Sequence, residues 1–393
     1  MPRVQTKPKR DISELRTWID IDRRAIAKNY RVIRKLIGKR TKLLGVVKSN
    51  AYGHGLSEFA HELARLGVDM LGVDSLVEAL RLRRDGVKVP ILVLGYTLPT
   101  LYQEAIKQEV TLTLSSFEML DEIRKLKIPK QTKGKLCLHV KIDTGMHRQG
   151  FQETDAQRLF DELASSALRA RVMLSGVYTH FADAKTVNKR DFTESQIKSF
   201  DQWRTRFINE GYQDLTFHAG ATAGLMIYDR AHYDMVRAGI ALYGVFPSDS
   251  IANELGKNIT LEPVLSWKSV VGEVKRVKKG ETVGYDRSEL LVRDTTLAVI
   301  PVGYWHGFRR SLSGKGRVLI RGKSARVLGR VSMDMIVVDV TDISGVRVGD
   351  EVVLIGRQKG EAISLNEIAQ FAGVSPYEFV TTLNPLIYRQ FTP

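Results

Sequence analysis

Residues 43–75 read LLGVVKSNAYGHGLSEFAHELARLGVDMLGVDS. An apolar run ends at Lys48, a helical pattern over LSEFAHELARLG closes on Gly67, and a second apolar run follows through MLGV. A glycine just past a helix supplies the left-handed cap that ends it. Strand, helix and strand at this spacing imply parallel pairing through a right-handed crossover. The same alternation continues to about Gly244, with apolar runs PILVLGY, VTLTLSS, LCLHVKIDTG, VMLSGVYTH, LTFHAGAT and DMVRAGIALYG, and helical patterns such as SLVEALRLRRDG and FTESQIKSFDQWRTRFINEG between them. Eight such runs predict a closed (β/α)8, TIM-type barrel of the α/β class, with an open doubly wound sheet as the alternative.

The pattern changes after about Leu261. SWKSVVGEVKRVKKGETVGYD, GRVLIRGKSARVLGRVSMDMIVVDVTD and VRVGDEVVLIG are short alternating strands separated by Gly, Lys and Asp turns, the signature of a mainly antiparallel β domain. The expected organisation is a flexible leader at 1–16, a barrel at 17–255 and a β domain at 256–393. The leader, MPRVQTKPKRDISE, lacks the apolar core of a secretory signal. No apolar run approaches the ~20 residues of a membrane span. One cysteine, Cys137, excludes a disulfide framework and suits a cytoplasmic protein. Lys and Arg number 60 against 44 Asp and Glu, a net charge of +16, which raises a nucleic-acid-binding alternative. The basic residues are scattered, however, and no zinc-ligand spacing, RNA-binding sheet motif or heptad array accompanies them.

In a barrel of this type, chemistry sits at the carboxyl ends of the strands. Lys48 and Tyr52 follow the first run; Lys141, Asp143 and Arg148 follow the fifth; His180 ends the sixth; His218 and Thr222 close the seventh; Arg237 belongs to the eighth. A single strand-end lysine reaching water needs no function, but several polar residues converging from different strands make a shared site. Desolvation favours the neutral amine of a lysine, which can form a Schiff base or act as a general base. The loop RAGIALYG, with Gly239 and Ile240, can present backbone N–H groups to a phosphate, and Thr222 can add a hydroxyl. There is no Walker loop and no dinucleotide-binding glycine fingerprint. Lysine plus a phosphate cradle points to pyridoxal phosphate (PLP), or to a Schiff-base aldolase acting on a phosphorylated sugar.

VVKSNAYGHG resembles the PLP-lysine signature of the alanine racemases, and KIDTGMHRQGF, THFA, VRAGIALYG, VGYDRSE, PVGYWHGFRR and GRVSMDM are similar to further blocks of that family in the same order. The resemblance covers nearly the whole chain from about Trp18. It implies a PLP-binding barrel followed by a β domain, a head-to-tail homodimer, and the reversible conversion of L-alanine to D-alanine for peptidoglycan. It implies that Lys48 carries PLP and serves as one catalytic base, with Tyr285 of the partner subunit as the other. Tyr52, Thr222, Gly239 and Ile240 would hold the phosphate, Arg237 would face the pyridine nitrogen with His180 in support, and Arg148 would approach the cofactor and the substrate carboxylate. Lys141 matches a carbamylated lysine of the family, Met333 of the partner subunit would contact the substrate carboxylate, and Arg309 and Arg330 match the corridor through which substrate arrives.

The two-base reading has its own logic. Racemisation removes the Cα proton on one face and returns one on the other, which two opposed bases accomplish. A tyrosine titrates near ~10 in general, so one acting as a base requires a cationic neighbour. Arginine only donates hydrogen bonds, so Arg237 leaves a ring nitrogen unprotonated and limits the side reactions that a deep electron sink invites. The chain departs from the family pattern at HAGAT, where Ala221 replaces an asparagine and Thr222 a serine. At the usual gate tyrosine near the C-terminus, TTLNPLIYR offers Asn384 or Pro385. The smaller residues there suggest serine turnover beside alanine, and a serine-preferring or broad-specificity racemase is the nearest alternative. PLP carriers of related barrel type lack the β domain that donates Tyr285.

Overall fold

The structure, a computed structural model, describes residues 11–127 and 134–393. Of the expected leader, residues 1–10 lie outside the described residues; a single 3-10 turn, Ile12–Glu14, follows. The described chain divides into two compact units. One comprises residues 26–51 and 56–262; the other comprises the described residues up to Ala25, residues 52–55 and residues 263–393.

The first strand, β1 (Thr17–Asp22), falls in the second unit. The first unit holds β2 (Lys42–Val46), β3 (Met70–Val73), β4 (Ile91–Val93), β5 (Val110–Leu114), β6 (Leu136–Lys141), β7 (Val172–Tyr178), β8 (Thr216–His218) and β9 (Met235–Ala238), the eight runs marked by the sequence. All eight pair in parallel in the order β8-β7-β6-β5-β4-β3-β2-β9. The seam between β8 and β9 is bridged: the Asp234 N–H donates to the Phe217 carbonyl at 3.1 Å, and the Arg237 N–H donates to the Gly220 carbonyl at 2.9 Å. The sheet is therefore a nearly closed barrel and not an open one.

Helices cover the outside because their apolar residues recur at helical spacing. Leu56–Leu66 buries Leu56, Phe59, Ala60 and Leu63 on one stripe, and Gly67, at φ 87°, takes the left-handed position that ends it. Ser75 and Ser116 cap the next helices by accepting from the N–H groups of Glu78 and Met119. Strands covered on both faces must be apolar throughout, and β4 and β5 are buried at every residue.

The β-rich unit continues with β10 (Leu265–Val270), β11 (Glu273–Val277), β12 (Thr282–Val283), β13 (Glu289–Leu290), β14 (Thr295–Ile300), β15 (Arg317–Ile320), β16 (Lys323–Leu328), β17 (Ile336–Asp339), β18 (Glu351–Gln358), β19 (Glu361–Ile363) and β20 (Tyr388–Thr392). Its main sheet runs β11-β14-β17-β16-β15-β18-β10-β1-β20, with β19 on β18. All of these pairs are antiparallel except β1 with β20. β10 alternates buried and half-buried residues, as a strand with one covered face does. Trp267, Ile19 and Ile21 are fully buried. The indole N–H of Trp267 donates to Thr17 Oγ1 at 3.0 Å, and that hydroxyl donates to the Lys268 carbonyl at 2.8 Å, so the buried polar atoms are satisfied. Trp267→Ala should cost this unit about 3–5 kcal/mol, seen as a lowered urea midpoint by far-ultraviolet circular dichroism, with Trp267→Phe losing less.

Candidate active site

β2 delivers the chain to the mouth of the barrel, and the backbone there turns left-handed. Ser49, Asn50, Ala51 and Tyr52 have φ of 56°, 56°, 51° and 49°. A left-handed helical conformation costs an L-residue about 1–2 kcal/mol, so a run of four without glycine is held by its surroundings. Lys48 opens this turn. Its side chain is 38% exposed, and its Nζ lies 3.2 Å from Asp74 Oδ1.

The desolvated lysine is a different one. Lys141, at the end of β6, is buried, with its Nζ 4.8 Å from the centre of the Tyr178 ring. Burial, then the charges of Arg237 and Arg148, hold its pKa well below the usual lysine value, against the opposing pull of Asp143. The burial expected at Lys48 acts here: Lys141 is the last residue of β6, whereas Lys48 stands two residues beyond the end of β2.

The floor of the site is built around Arg237. This buried guanidinium donates through Nη2 to the carbonyls of Thr179 and Ala219 at 2.7 and 2.8 Å, and through Nη1 to the His218 carbonyl at 3.2 Å. It also meets His218 Nδ1 at 2.9 Å and His180 Nδ1 at 3.2 Å. Arginine has no acceptor, so both nitrogens must accept. The hydrogen of His218 is then on Nε2, which lies 2.9 Å from His139 Nδ1 and donates to it. Tyr178 stacks on His218 with ring centres 4.7 Å apart and planes 9° apart. Thr113 donates to the Val93 carbonyl, so the Tyr178 hydroxyl donates to Thr113 Oγ1 at 2.8 Å.

Burial sets the protonation states of this cluster. It lowers His139 to about 3 and pushes Tyr178 up to about 12. His218 and His180 are held well below the usual histidine value by burial and then by Arg237. Arg237 itself drops only to about 10, through burial, and stays charged at neutral pH. Nearby, the Thr222 hydroxyl oxygen accepts from the Gly239 N–H at 2.9 Å, which leaves its own hydrogen to donate elsewhere. Gly239 leads into the buried 3-10 turn Ile240–Tyr243. Arg148 is exposed but close enough to depress Lys141, His180 and Arg237. Asp143 Oδ1 is occupied by the N–H groups of Gly145, Met146 and His147.

The remaining expected residues belong to the β-rich unit. Tyr285 is 66% exposed at the tip of the β12–β13 hairpin, in a turn where Asp286 and Arg287 have φ of 60° and 50°. Arg330 Nε lies 3.4 Å from Asp286 Oδ2, which ties its segment to that turn. A Cβ on Gly284 would stand 3.0 Å from the Arg330 nitrogen, so glycine allows this approach. Met333 is exposed and its carbonyl accepts from the Trp305 N–H, while Arg309 pairs with Glu378 at 2.9 Å. Asn384 is buried and engaged within the chain. Its amide donates to the Trp305 carbonyl at 3.0 Å and accepts from the Leu386 N–H at 2.8 Å. Tyr52 lies instead beside Tyr377, ring centres 6.2 Å apart, and burial raises both hydroxyl pKa values, that of Tyr52 to about 12.

His139, Tyr178, Thr113 and Tyr377 carry parts of this arrangement without having been singled out in the sequence. For two of them a signal was present. Residues two apart on a strand share a face, and His139 precedes Lys141 by two on β6; Tyr178 closes β7 two residues before His180. Tyr377 had no such signal, because its place beside Tyr52 depends on long-range packing.

The family profiles for the alanine racemase N-terminal and C-terminal domains match residues 21–247 and 264–391. The chain is 37% identical over 363 residues to alanine racemase 2 of Caldanaerobacter subterraneus, covering 92% of this chain and 91% of that one. The structure of alanine racemase from Bacillus anthracis with bound L-Ala-P superposes with a TM-score of 0.89 at 33% identity, over 96% of this chain and 95% of that one. Alanine racemase from Bartonella henselae, solved with covalently bound pyridoxal phosphate, gives 0.83 at 27% identity, over 96% and 100%.

The buried histidines imply a pH dependence. Unfolded, each binds a proton as pH falls through about 6.5; folded, His139 does so only near 3 and His218 also well below 6.5. The unfolded state therefore holds the extra protons in this window, and stability, complete above it, falls with pH by up to about 1.4 kcal/mol per pH unit for each histidine. Urea unfolding between pH 7 and 4 should show this slope, and His139→Asn should flatten it.

Proposed function

This chain belongs to the alanine racemase family, and on that premise we propose that it interconverts L- and D-alanine with PLP held at the carboxyl-terminal mouth of the barrel. The residues present suit such a group. Lys48, Arg148 and Arg237 outnumber Asp74 and Asp143, which favours an anion. The Thr222 hydroxyl and the backbone at Gly239 and Ile240, with Tyr52, are donors of the kind a phosphate takes. The observation that carries the reading is Arg237: a buried cation whose partners are all neutral carbonyls and imidazoles. It would hold the ring nitrogen as an acceptor, with His180 beside it. When bound, the cofactor supplies electron withdrawal from the substrate Cα, which acidifies the Cα–H bond.

The chain's own groups do the rest. Lys48 carries the cofactor and moves the Cα proton on one face. Tyr285 of the partner subunit serves the opposite face, so the active form is a homodimer. Arg148 and the Met333 backbone of the partner subunit bind the substrate carboxylate, and Arg309 and Arg330 line its approach. The Asn384 amide is engaged with Trp305 and Leu386, which weakens the case for a serine contact there, and alanine is the main substrate. The product is D-alanine for peptidoglycan, made in the cytoplasm. The barrel and the β-rich unit are the two functional domains, with the strand Thr17–Asp22 counted in the second.

Lys141 fits a carbamate. Carbon dioxide reacts with a neutral amine: a bond forms from Nζ to carbon and the displaced proton leaves to solvent. The depressed pKa of Lys141 supplies the neutral form. The product places an anion beside Arg148 and Arg237 where a neutral amine stood.

Lys48→Ala should keep the fold while losing cofactor absorbance and racemase activity; a variant that still holds PLP covalently and racemises alanine would overturn the assignment. Mixing Lys48→Ala with Tyr285→Ala should restore activity, because some mixed dimers contain one site with both residues. No recovery despite proven subunit exchange would place both bases in one chain. Protein equilibrated with 13C-bicarbonate should show a carbamate resonance by NMR that is missing from Lys141→Ala.

A further inference from the structure

The sequence SLVE at 75–78 has the form of a helix capping box, and Ser75 does cap the helix Leu76–Arg84. Glu78 is engaged beyond that helix. Its Oε1 accepts from the N–H groups of Ser49 at 2.7 Å and Asn50 at 3.3 Å, and its Oε2 accepts from the Asp74 N–H at 2.9 Å. Ser49 and Asn50 begin the left-handed turn after Lys48; Asp74 carries the carboxylate that faces the Lys48 amine. One side chain thus fixes both the backbone that aims the lysine and the backbone of the group opposite it. The other supports of the turn are local. The Ala51 N–H donates to the Val47 carbonyl at 2.8 Å, and Asn50 Oδ1 accepts from the Leu56 N–H at 3.0 Å. Neither reaches the Ser49 or Asn50 amide.

We infer that Glu78 is a positioning residue for Lys48: its carboxylate clamps the left-handed turn and sets the line along which the amine meets the substrate Cα. The inference rests on Lys48 being the cofactor lysine and one of two bases. A neutral carboxylate substitute keeps part of the clamp. The oxygen of a glutamine can still accept from Ser49 and Asn50, while its NH2 cannot accept from Asp74. Alanine removes all three bonds.

The test uses the full-length holoenzyme and the cofactor-free protein. In cofactor-free Glu78→Ala, hydrogen–deuterium exchange should quicken in the peptide spanning 48–52 while the rest of the barrel keeps its protection. In the holoenzyme, kcat should fall by about 10²-fold, the scale of a small misplacement of a reacting group, with KM changed far less. Cα-deuterated L- and D-alanine give the sharper readout. If the Lys48 step alone slows, the isotope effect rises for the antipode whose proton Lys48 removes and falls for the other. A loss of folded enzyme moves neither. Glu78→Gln should recover most of kcat and the parent isotope effects, and it remains informative if Glu78→Ala does not fold. Borohydride reduction and peptide mapping of the parent separate the two levels. PLP on Lys48 with parent exchange and isotope effects in both variants overturns the positioning role alone. PLP on another lysine overturns this inference and the proposed function together.

Discussion

Arg237 is buried, charged and surrounded by neutral acceptors, and the floor of the barrel follows from that. Because arginine cannot accept, both imidazoles that touch it must turn an unprotonated nitrogen toward it. That choice places the His218 hydrogen on the side of His139. His139 in turn needs the room that Gly176 leaves on β7, where a Cβ would stand 2.6 Å from its ring. Burial, and after it the same positive charge, lowers the pKa values of Lys141 and the histidines. A cluster that disfavours further cations is prepared for an anion before one arrives, and preorganised charge of this kind needs little rearrangement when a ligand binds.

Much of this was legible in the sequence, for a physical reason. Parallel strands covered on both faces are apolar over their length, so a lysine, histidine or arginine at their ends stands out. That is how Lys48, Lys141, His180, His218 and Arg237 declared themselves. What pattern could not supply was the depth of each group. Lys48 and Lys141 both close apolar runs, yet one is half exposed beside Asp74 and the other is buried between arginines. The difference comes from where each strand ends relative to the barrel wall, a matter of register that short runs do not encode. Contacts between distant segments were equally hidden. The commitment of Asn384 to Trp305 and Leu386, and the approach of Tyr377 to Tyr52, depend on how a tail folds back. The strand Thr17–Asp22 read as the head of the barrel segment because nothing in six residues announces a partner at the far end of the chain.

The two units carry different kinds of residue. The barrel supplies the buried, mutually constrained cluster of Lys141, His180, His218 and Arg237, along with the more exposed Lys48 and Arg148. The β-rich unit presents two of its candidate residues on exposed turns, Tyr285 on a hairpin tip and Met333 on another segment, while Asn384 is buried. Backbone tension appears in both, at the left-handed run after Lys48 and again at Asp286 and Arg287. Such conformations persist only where surrounding contacts over-determine them, and here the contacts come from Glu78 in one case and from the Asp286–Arg330 pair in the other.

β1 pairs on one side with β10 and on the other with β20, whose last residue is Thr392. A growing polypeptide therefore makes the strand next to one edge of this sheet first and the edge strand that flanks it after all the others. Every barrel strand is synthesised in between. Domains assemble as units while translation proceeds from the N-terminus, so the barrel can close while the ribosome is still attached. The sheet is completed only when β20 emerges, and until β10 has been made β1 is a strand with neither of its neighbours.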